Sequence, residues 1–407
     1  MRWLCLAALL AALPALAGCG GVGVSGASET AGNQLAIYSS LPLQGPSAAT
    51  SAEIVNGERL ALSRAHGHVG SLRVGYVSLD DANPRTGELD PSATSTDAKT
   101  AAQDTSTIAY LGELGSAATA VSLPLINAAG ILQVSPGSPY IGLTSSRDAG
   151  QDEPERFYPS GKRNFGRLQP GDPAQASAQA QLMRSLHVRK LFVLDDQDPF
   201  EIPLAELVAT EAQRAGVAVV AHDSIVTTPG STFTGEVEKI QRSGAGAVFF
   251  AGGAGAGTVA LWRALHAADP RLLLLGSNSL VGEAFTSAIG SAGSQTYLTT
   301  PLLALSDYSA AAQRVLADYR RTFGGTPGAY ALYGYEAMSV VLDSIRRAGT
   351  HGNDRQAVID AFFATADRDS VLGRYSLRAD GETTLARYAI DRVADGRAQF
   401  VRTVEVG

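Results

Sequence analysis

The stretch from Ile108 to Pro139, IAYLGELGSAATAVSLPLINAAGILQVSPGSP, constrains the fold more than any other part of the chain. Ile108 to Leu111 is an apolar run of the length of a buried strand. Gly112 to Gly115 is a glycine-bounded turn, and Ser116 stands where a helix N-cap belongs. Val121, Leu123, Leu125 and Ile126 give the next residues an apolar helical face, and Gly130 closes the helix as a C-cap would. Ile131 to Val134 is a second strand, turned over by Ser135-Pro136-Gly137. The stretch therefore predicts a βαβ unit with hydroxyl side chains at the carboxyl ends of both strands, where open parallel sheets bind ligands. Free N–H groups at the start of the helix suit a carboxylate or another anion. Ser116 has two readings: it caps its helix only, or it caps and also touches ligand.

The amino terminus is of another kind. Arg2, an apolar run from Trp3 to Leu13, and Leu16-Ala17-Gly18 before Cys19 make a basic region, a short apolar region and a small-residue cleavage site. This is the pattern of a secretory signal (residues 1–18) rather than a spanning helix. Leu16-Ala-Gly-Cys19 resembles the bacterial lipobox, which implies cleavage before Cys19 and a lipid on its thiol. Cys5 falls in the removed part, so the mature core is stable by packing alone. Residues 19–33, rich in Gly, Ser and Ala, read as a flexible tether, with order beginning at Gln34.

The length suffices for two domains. The formal charge of −7 and the lack of a basic cluster argue against nucleic acid as a partner. No later apolar run has the length of a membrane span. Strands are expected at Leu35–Ser39 and Leu72–Leu79, and a helix at Asp97–Ser106, completing a βαβαβαβ order with the opening stretch. Residues 148–163 read as a charged surface insertion. A helix at Ala174–Leu186 follows. A second α/β pattern then runs through strands at Lys190–Leu194, Val217–Ala221, Ala247–Phe250 and Leu272–Leu275, with helices at Leu204–Ala215 and Thr234–Ser243.

Enzyme chemistry finds little support. Gly252 to Gly257, GGAGAG, follows a strand but lacks the G-x-G-x-x-G spacing of a dinucleotide site, so no cofactor is expected. It reads as a tight turn that lets a ligand or the other lobe approach the backbone. The 6 histidines form no H-E-x-x-H pair, no G-x-S-x-G elbow follows a strand, and no metal site is indicated. Asp80-Asp81 and Asp195-Asp196 sit at strand ends, where turn roles outweigh acid–base work.

Several pieces, in order, resemble the type I periplasmic binding proteins of the branched-chain amino-acid-binding family. They are Leu43-Gln-Gly-Pro46 with Asn56-Gly57, the stretch Gly112–Thr144, Arg167 with Asp172 and Gln175, Asp195-Asp196 to Phe200, Tyr335-Glu336-Ala337, and Gly373 to Gly381. The resemblance implies two doubly wound parallel-sheet lobes joined by a three-crossing hinge, with residues 34–165 and about 302–370 in the first lobe and 166–301 and about 371–407 in the second. It also implies a lipid-anchored receptor on the outer face of the bacterial cytoplasmic membrane. Such a receptor closes on a small polar solute, a branched-chain amino acid or a related compound, and passes it to the permease of an ABC importer. The alternative is a ligand-sensing lipoprotein of the same fold. The implied ligand residues are Gly115, Ser116, Gly137, Ser138, Phe200, Gly253, Asn278 and Tyr335. Pro139 stands where the family has a threonine, so Ser138 is its substitute. Phe200 and Gly253 stand at tyrosine positions, and Asn278 stands near a glutamate that holds the ligand ammonium. Glu113 or Asp196 could restore that charge, although each reads first as a solvated loop carboxylate.

Overall fold

The computed structural model describes residues 28–406 apart from Ala31. The expected signal segment, Cys19 and most of the tether lie outside the described residues. Its last part is docked, not free. Thr30 donates its N–H to Asn353 O at 2.8 Å, and Ser28 O accepts from Arg355 N at 2.7 Å. Order thus begins before Gln34.

The chain opens with β1 (Gln34–Leu41), α1 (Ala48–Arg64), β2 (His68–Val69), β3 (Leu72–Asp80), α2 (Pro91–Gln103), β4 (Thr107–Leu111), α3 (Ser116–Ala128), β5 (Leu132–Ser135) and β6 (Phe165–Arg167). These strands form a six-stranded sheet of order β2-β3-β1-β4-β5-β6, parallel except for the β2–β3 edge hairpin. All of β4 and nearly all of β1 are buried, as expected of central strands covered by helices on both faces. The expected helix at Asp97 starts six residues earlier, at Pro91. Asp90 caps it by accepting from Ser92 N at 2.8 Å, and proline suits the first helical position. The segment 148–163 is more than a surface insertion. Its Phe157 and Tyr158 are buried against Leu123, Tyr140 and Leu143, and Tyr158 donates to Leu143 O.

The second run comprises α4 (Asp172–Ser185), β7 (Lys190–Asp195), α5 (Ile202–Arg214), β8 (Ala218–Ser224), α6 (Thr234–Ser243), β9 (Ala247–Ala251), α7 (Ala256–Ala268), β10 (Leu273–Gly276), α8 (Glu283–Ala288) and β11 (Thr296–Thr300). The chain then supplies α9 (Ala310–Phe323), α10 (Tyr330–Arg347) and α11 (Arg355–Phe363), whose apolar faces join the core beneath the first sheet. A short hairpin, β12 (Arg368–Ser370) with β13 (Gly373–Tyr375), precedes β14 (Arg387–Ala394) and β15 (Arg397–Glu405). Those last two complete a seven-stranded sheet, β15-β14-β11-β10-β9-β7-β8, parallel from β11 to β8 and antiparallel beyond. The chain passes between the sheets after Arg167, after Thr300 and before Arg387. This is the expected fold class: two doubly wound lobes and a three-stranded junction. Glycine sets how tightly the first lobe packs. A Cβ on Gly57 would strike Ala331 O, and one on Gly334 would strike Ile54 O, so α1 and α10 touch backbone to backbone.

Candidate functional site

The parallel strands of both sheets end at the loops that bring the lobes into contact. On the first lobe, β4 feeds Gly112 to Gly115 and then α3. The N-cap is Gly115, and Ser116 is the first helical residue, one position later than the sequence pattern places it. Its hydroxyl does not cap the helix. It accepts from Tyr140 N at 3.2 Å, tying the start of α3 to the loop after β5. Behind it the loop is closed on itself. Ser138 is fully buried and left-handed (φ 54°), and its hydroxyl pairs with Thr119 Oγ1 at 2.7 Å and donates to Glu113 O at 3.2 Å. Ser135 also donates to Glu113 O, at 2.6 Å. A Cβ on Gly137 would strike Leu114 O. Gly137 and Ser138 therefore build the turn, and the Ser138 hydroxyl is not free to replace a ligand threonine.

Glu113 is no solvated carboxylate. It is fully buried, and Tyr110 donates to its Oε1 at 2.7 Å. Burial first, and the nearby Asp81 charge second, push its carboxyl well above the usual carboxylate range. Asp81 is itself pushed up to about 6, by burial first, and its charge is the second cause of the Glu113 shift. Asp80 accepts from Leu43 N at 2.8 Å and from Gln44 Nε2 at 2.7 Å, fixing the loop after β1. Pro42, Pro46, Asp81, Leu89, Leu114 and Gly115 line a pocket of about 310 Å³ there.

The second lobe meets this face through the loop after β7. The Phe200 ring packs edge-on against Tyr140, with centroids 5.1 Å apart and planes at 83°. The Tyr140 phenol donates to Glu153, which locks that ring in turn. Asp195 is buried and holds His222 Nε2 and Ser224 Oγ, each at 2.9 Å, so it is structural. Asp196 accepts from Gly253 N at 2.8 Å and so pins the glycine loop to its own lobe. A Cβ on Gly257 would strike Thr227 O, also of this lobe, so that turn serves internal packing. Asn278 is half-buried and opens a short helical turn beside Ser279. The Ser279 hydroxyl donates to Glu201 Oε1 at 2.8 Å. Glu201 is pushed up to about 7, by burial first and then by the charges of Asp196 and Asp198.

One buried cation organises the junction. Arg167 is fully buried; it pairs with Glu382 at 2.7 Å and donates to Tyr140 O at 2.9 Å and Thr144 Oγ1 at 2.6 Å. Asp172, at the start of α4, accepts from Ile141 N at 3.2 Å. The structure thus brings Ser116 and Phe200 together through Tyr140. Gly253 and Asn278 lie on neighbouring second-lobe loops. Tyr335 lies elsewhere: its hydroxyl accepts from Arg64 Nη1 at 3.1 Å, and Arg64, the last residue of α1, stacks over its ring and pairs with Asp318. Tyr335 lies beside the middle of α1, where a Cβ on Gly57 would meet its backbone N, and its hydroxyl is engaged by Arg64. The motifs alone did not single out Tyr140 or Glu201. Each directly follows a flagged residue, Pro139 or Phe200, and that adjacency was the available signal.

Similar proteins share this construction. A homologue of Leu/Ile/Val-binding protein from Brucella melitensis is 26% identical over 328 residues, 79% of this chain and 80% of its own. A leucine-binding protein from Thermotoga maritima superposes with a TM-score of 0.75 at 19% identity, over 91% of this chain and 99% of its own. A branched-chain amino-acid substrate-binding protein from Streptococcus pneumoniae, in complex with isoleucine, gives 0.71 at 18%, over 91% and 99%. A solute-binding protein from R. palustris, in complex with benzoate, gives 0.71 at 17%, over 92% and 97%. Residues 39–398 match the periplasmic binding protein family, and the chain belongs to it.

Proposed function

We propose that this chain is the extracytoplasmic receptor of an ABC importer and captures a small polar solute between its lobes. The observation that carries this is the Ser116–Tyr140–Phe200 succession, which couples the start of α3 in one lobe to the loop after β7 in the other. Only three strands of chain join the lobes, so a hinge motion that separates Phe200 from Tyr140 opens the site, and ligand closes it. The moving units are residues 34–167 with about 302–385, and 168–301 with about 386–406. The third crossing falls later than residue 371 because Val371, Leu372, Tyr375 and Leu377 pack in the first core. The solute is a branched-chain amino acid or a related compound, as the relatives that carry leucine-type ligands support. The chain turns over no substrate.

A signal at residues 1–18 and a lipid on Cys19 hold the receptor at the outer face of the membrane, facing the permease. No helix among the described residues is long and apolar enough to cross a membrane. Two experiments test this reading. Native mass spectrometry of protein purified from its own cells should show a co-purifying small solute; protein that carries none and binds none on titration contradicts the receptor role. Growth with radiolabelled fatty acid should label the wild-type chain and leave Cys19→Ser unlabelled; an unlabelled wild type removes the anchor.

A further inference from the structure

A second cavity, of about 190 Å³, lies where the chain passes between the lobes. Each of the three passages gives it a wall residue: Pro170 from the first, Pro301 from the second and Leu385 from the third. Ser116, Tyr140, Phe200 and Glu201 do not line it, so it is separate from the cleft. The wall is held in place by phenols whose hydroxyls are spent on the passages. Tyr333 donates to Pro301 O at 3.1 Å, and Tyr308 Oη accepts from Leu303 N at 3.1 Å. Proline, leucine and tyrosine thus make one side apolar.

Two cations line the same cavity, one from each lobe. Arg374, on β13 of the first lobe, makes no hydrogen bond among the described residues. Its Nε stands 3.7 Å from Asp367 and 3.9 Å from Asp369, both exposed. Arg387, which opens β14 of the second lobe, makes one long bond, to Asp307 O at 3.4 Å, and its Nε stands 3.5 Å from the exposed Glu405. These separations are too long for charge-assisted hydrogen bonds, and exposed pairs of this kind hold little. Both guanidinium groups therefore keep N–H donors for a planar anion.

We propose that this junction cavity binds a small organic carboxylate with an apolar body, the carboxylate between Arg374 and Arg387 and the body against Pro301, Tyr308 and Leu385. The size suits it, since an apolar cavity of about 150 Å³ takes up benzene. Such an occupant is held by both lobes at once, in the conformation that also seats Phe200 on Tyr140. A molecule that binds this arrangement of the lobes better than others favours it. A carboxylate at the junction and a solute in the cleft then strengthen each other's binding by one and the same factor. That coupling rests on the receptor reading; the junction site does not.

Calorimetric titration of the full chain with phenylacetate and with the neutral phenylacetamide tests this. Phenylacetate should bind at one site, and the amide about tenfold more weakly or less well still, as the loss of a hydrogen bond to a charged group requires. Arg374→Gln and Arg387→Gln should each weaken phenylacetate binding by about tenfold. Arg374 is exposed and makes no hydrogen bond, so Arg374→Gln should keep the wild-type melting temperature, and it decides the matter if Arg387→Gln does not fold. A wild type that does not bind phenylacetate, or binds the amide equally well, overturns the site. So does folded Arg374→Gln that binds phenylacetate as tightly as wild type, or displacement of phenylacetate by L-leucine, which would put it in the cleft. L-leucine should bind more tightly with phenylacetate present; an affinity unchanged by phenylacetate overturns the coupling. Arginine-dependent phenylacetate binding by a protein that takes up no solute contradicts the receptor reading and supports the junction site.

Discussion

The two lobes present opposite kinds of surface to the cleft. On the first lobe the hydroxyls of the loops after β4 and β5 are engaged by backbone, Ser135 and Ser138 donating to Glu113 O and Ser116 accepting from Tyr140 N, and the open acceptors, Glu113 Oε2 and Asp81 Oδ1, belong to neighbouring acids. On the second lobe, Glu201 Oε2 and Ser277 Oγ are buried and open. A surface whose polar groups are satisfied by its own chain positions a ligand through backbone and shape. A surface with unfilled acceptors selects it by charge. On the receptor reading proposed above, the second lobe is expected to contribute more to selectivity and the first lobe to supply a platform.

The sharpest way to break that contrast is to unmake the platform. Arg167→Met removes a fully buried cation, taking the charge partner from Glu382, which keeps only the Thr144 hydroxyl, and the guanidinium donors from Ser138 O, Tyr140 O and Thr144 Oγ1. The expected loss is about 3–5 kcal/mol of unfolding free energy, as for one partner removed from a buried ion pair. Urea unfolding measures it. A loss near zero would show that the junction is wetter than its packing indicates. Next in size is Asp81→Asn. The Asp81 carboxyl lies near 6 in the fold, above its ordinary 3.8. Its contribution is thus fully present below about pH 4 and lost as pH rises through about 6. Asparagine cannot ionise, so the fall in stability from pH 4 to pH 8 should shrink by about 1–3 kcal/mol. An unchanged pH profile would show that burial does not raise the Asp81 carboxyl in the fold.

Phe200→Ala probes the seam between the two faces. The Tyr140–Phe200 edge contact is worth about 0.5–1.5 kcal/mol beyond its buried area, and the proposed hinge motion would break it when the lobes part. Ligand affinity should therefore fall roughly tenfold while the melting temperature of the empty, open protein changes little. Equal losses in both would make the contact a permanent one and the hinge stiff.

The fold was legible because its strands and turns carry local signals. The β4–α3–β5 unit, for instance, is placed to within a residue by its apolar runs and by Gly130, which is left-handed as a helix-ending glycine should be. The start of α2 was missed because Pro91-Ser-Ala-Thr-Ser-Thr96 has no apolar period, although Asp90-Pro91 is a capping signal. The site was half legible. Ser116 and Phe200 lie on strand ends that any doubly wound sheet turns toward ligand. Glu201 depends on Ser279, distant in sequence, and no local pattern reports that pairing. Tyr335 is on a helix that reaches the first core, and its pairing with Arg64, distant in sequence, is one that periodicity does not report.

The smallest expected effect is the most discriminating. Ser116 is not the cap of α3, so Ser116→Ala should not cost what a lost cap costs. It removes the acceptor for Tyr140 N, which water reaches because Ser116 is only half-buried. The expected loss is about 0.5–1 kcal/mol of stability, the low end for an intramolecular hydrogen bond. The same substitution loosens the loop that carries Tyr140 and, through it, the seat for Phe200. Leucine affinity should then fall severalfold. In combination with Phe200→Ala the two losses should be less than additive, because both act through the position of Tyr140. A double-mutant cycle by calorimetry measures this coupling. Strict additivity would mean that Ser116 reaches the ligand independently of Tyr140, and the first lobe would then also select its ligand by direct side-chain contact.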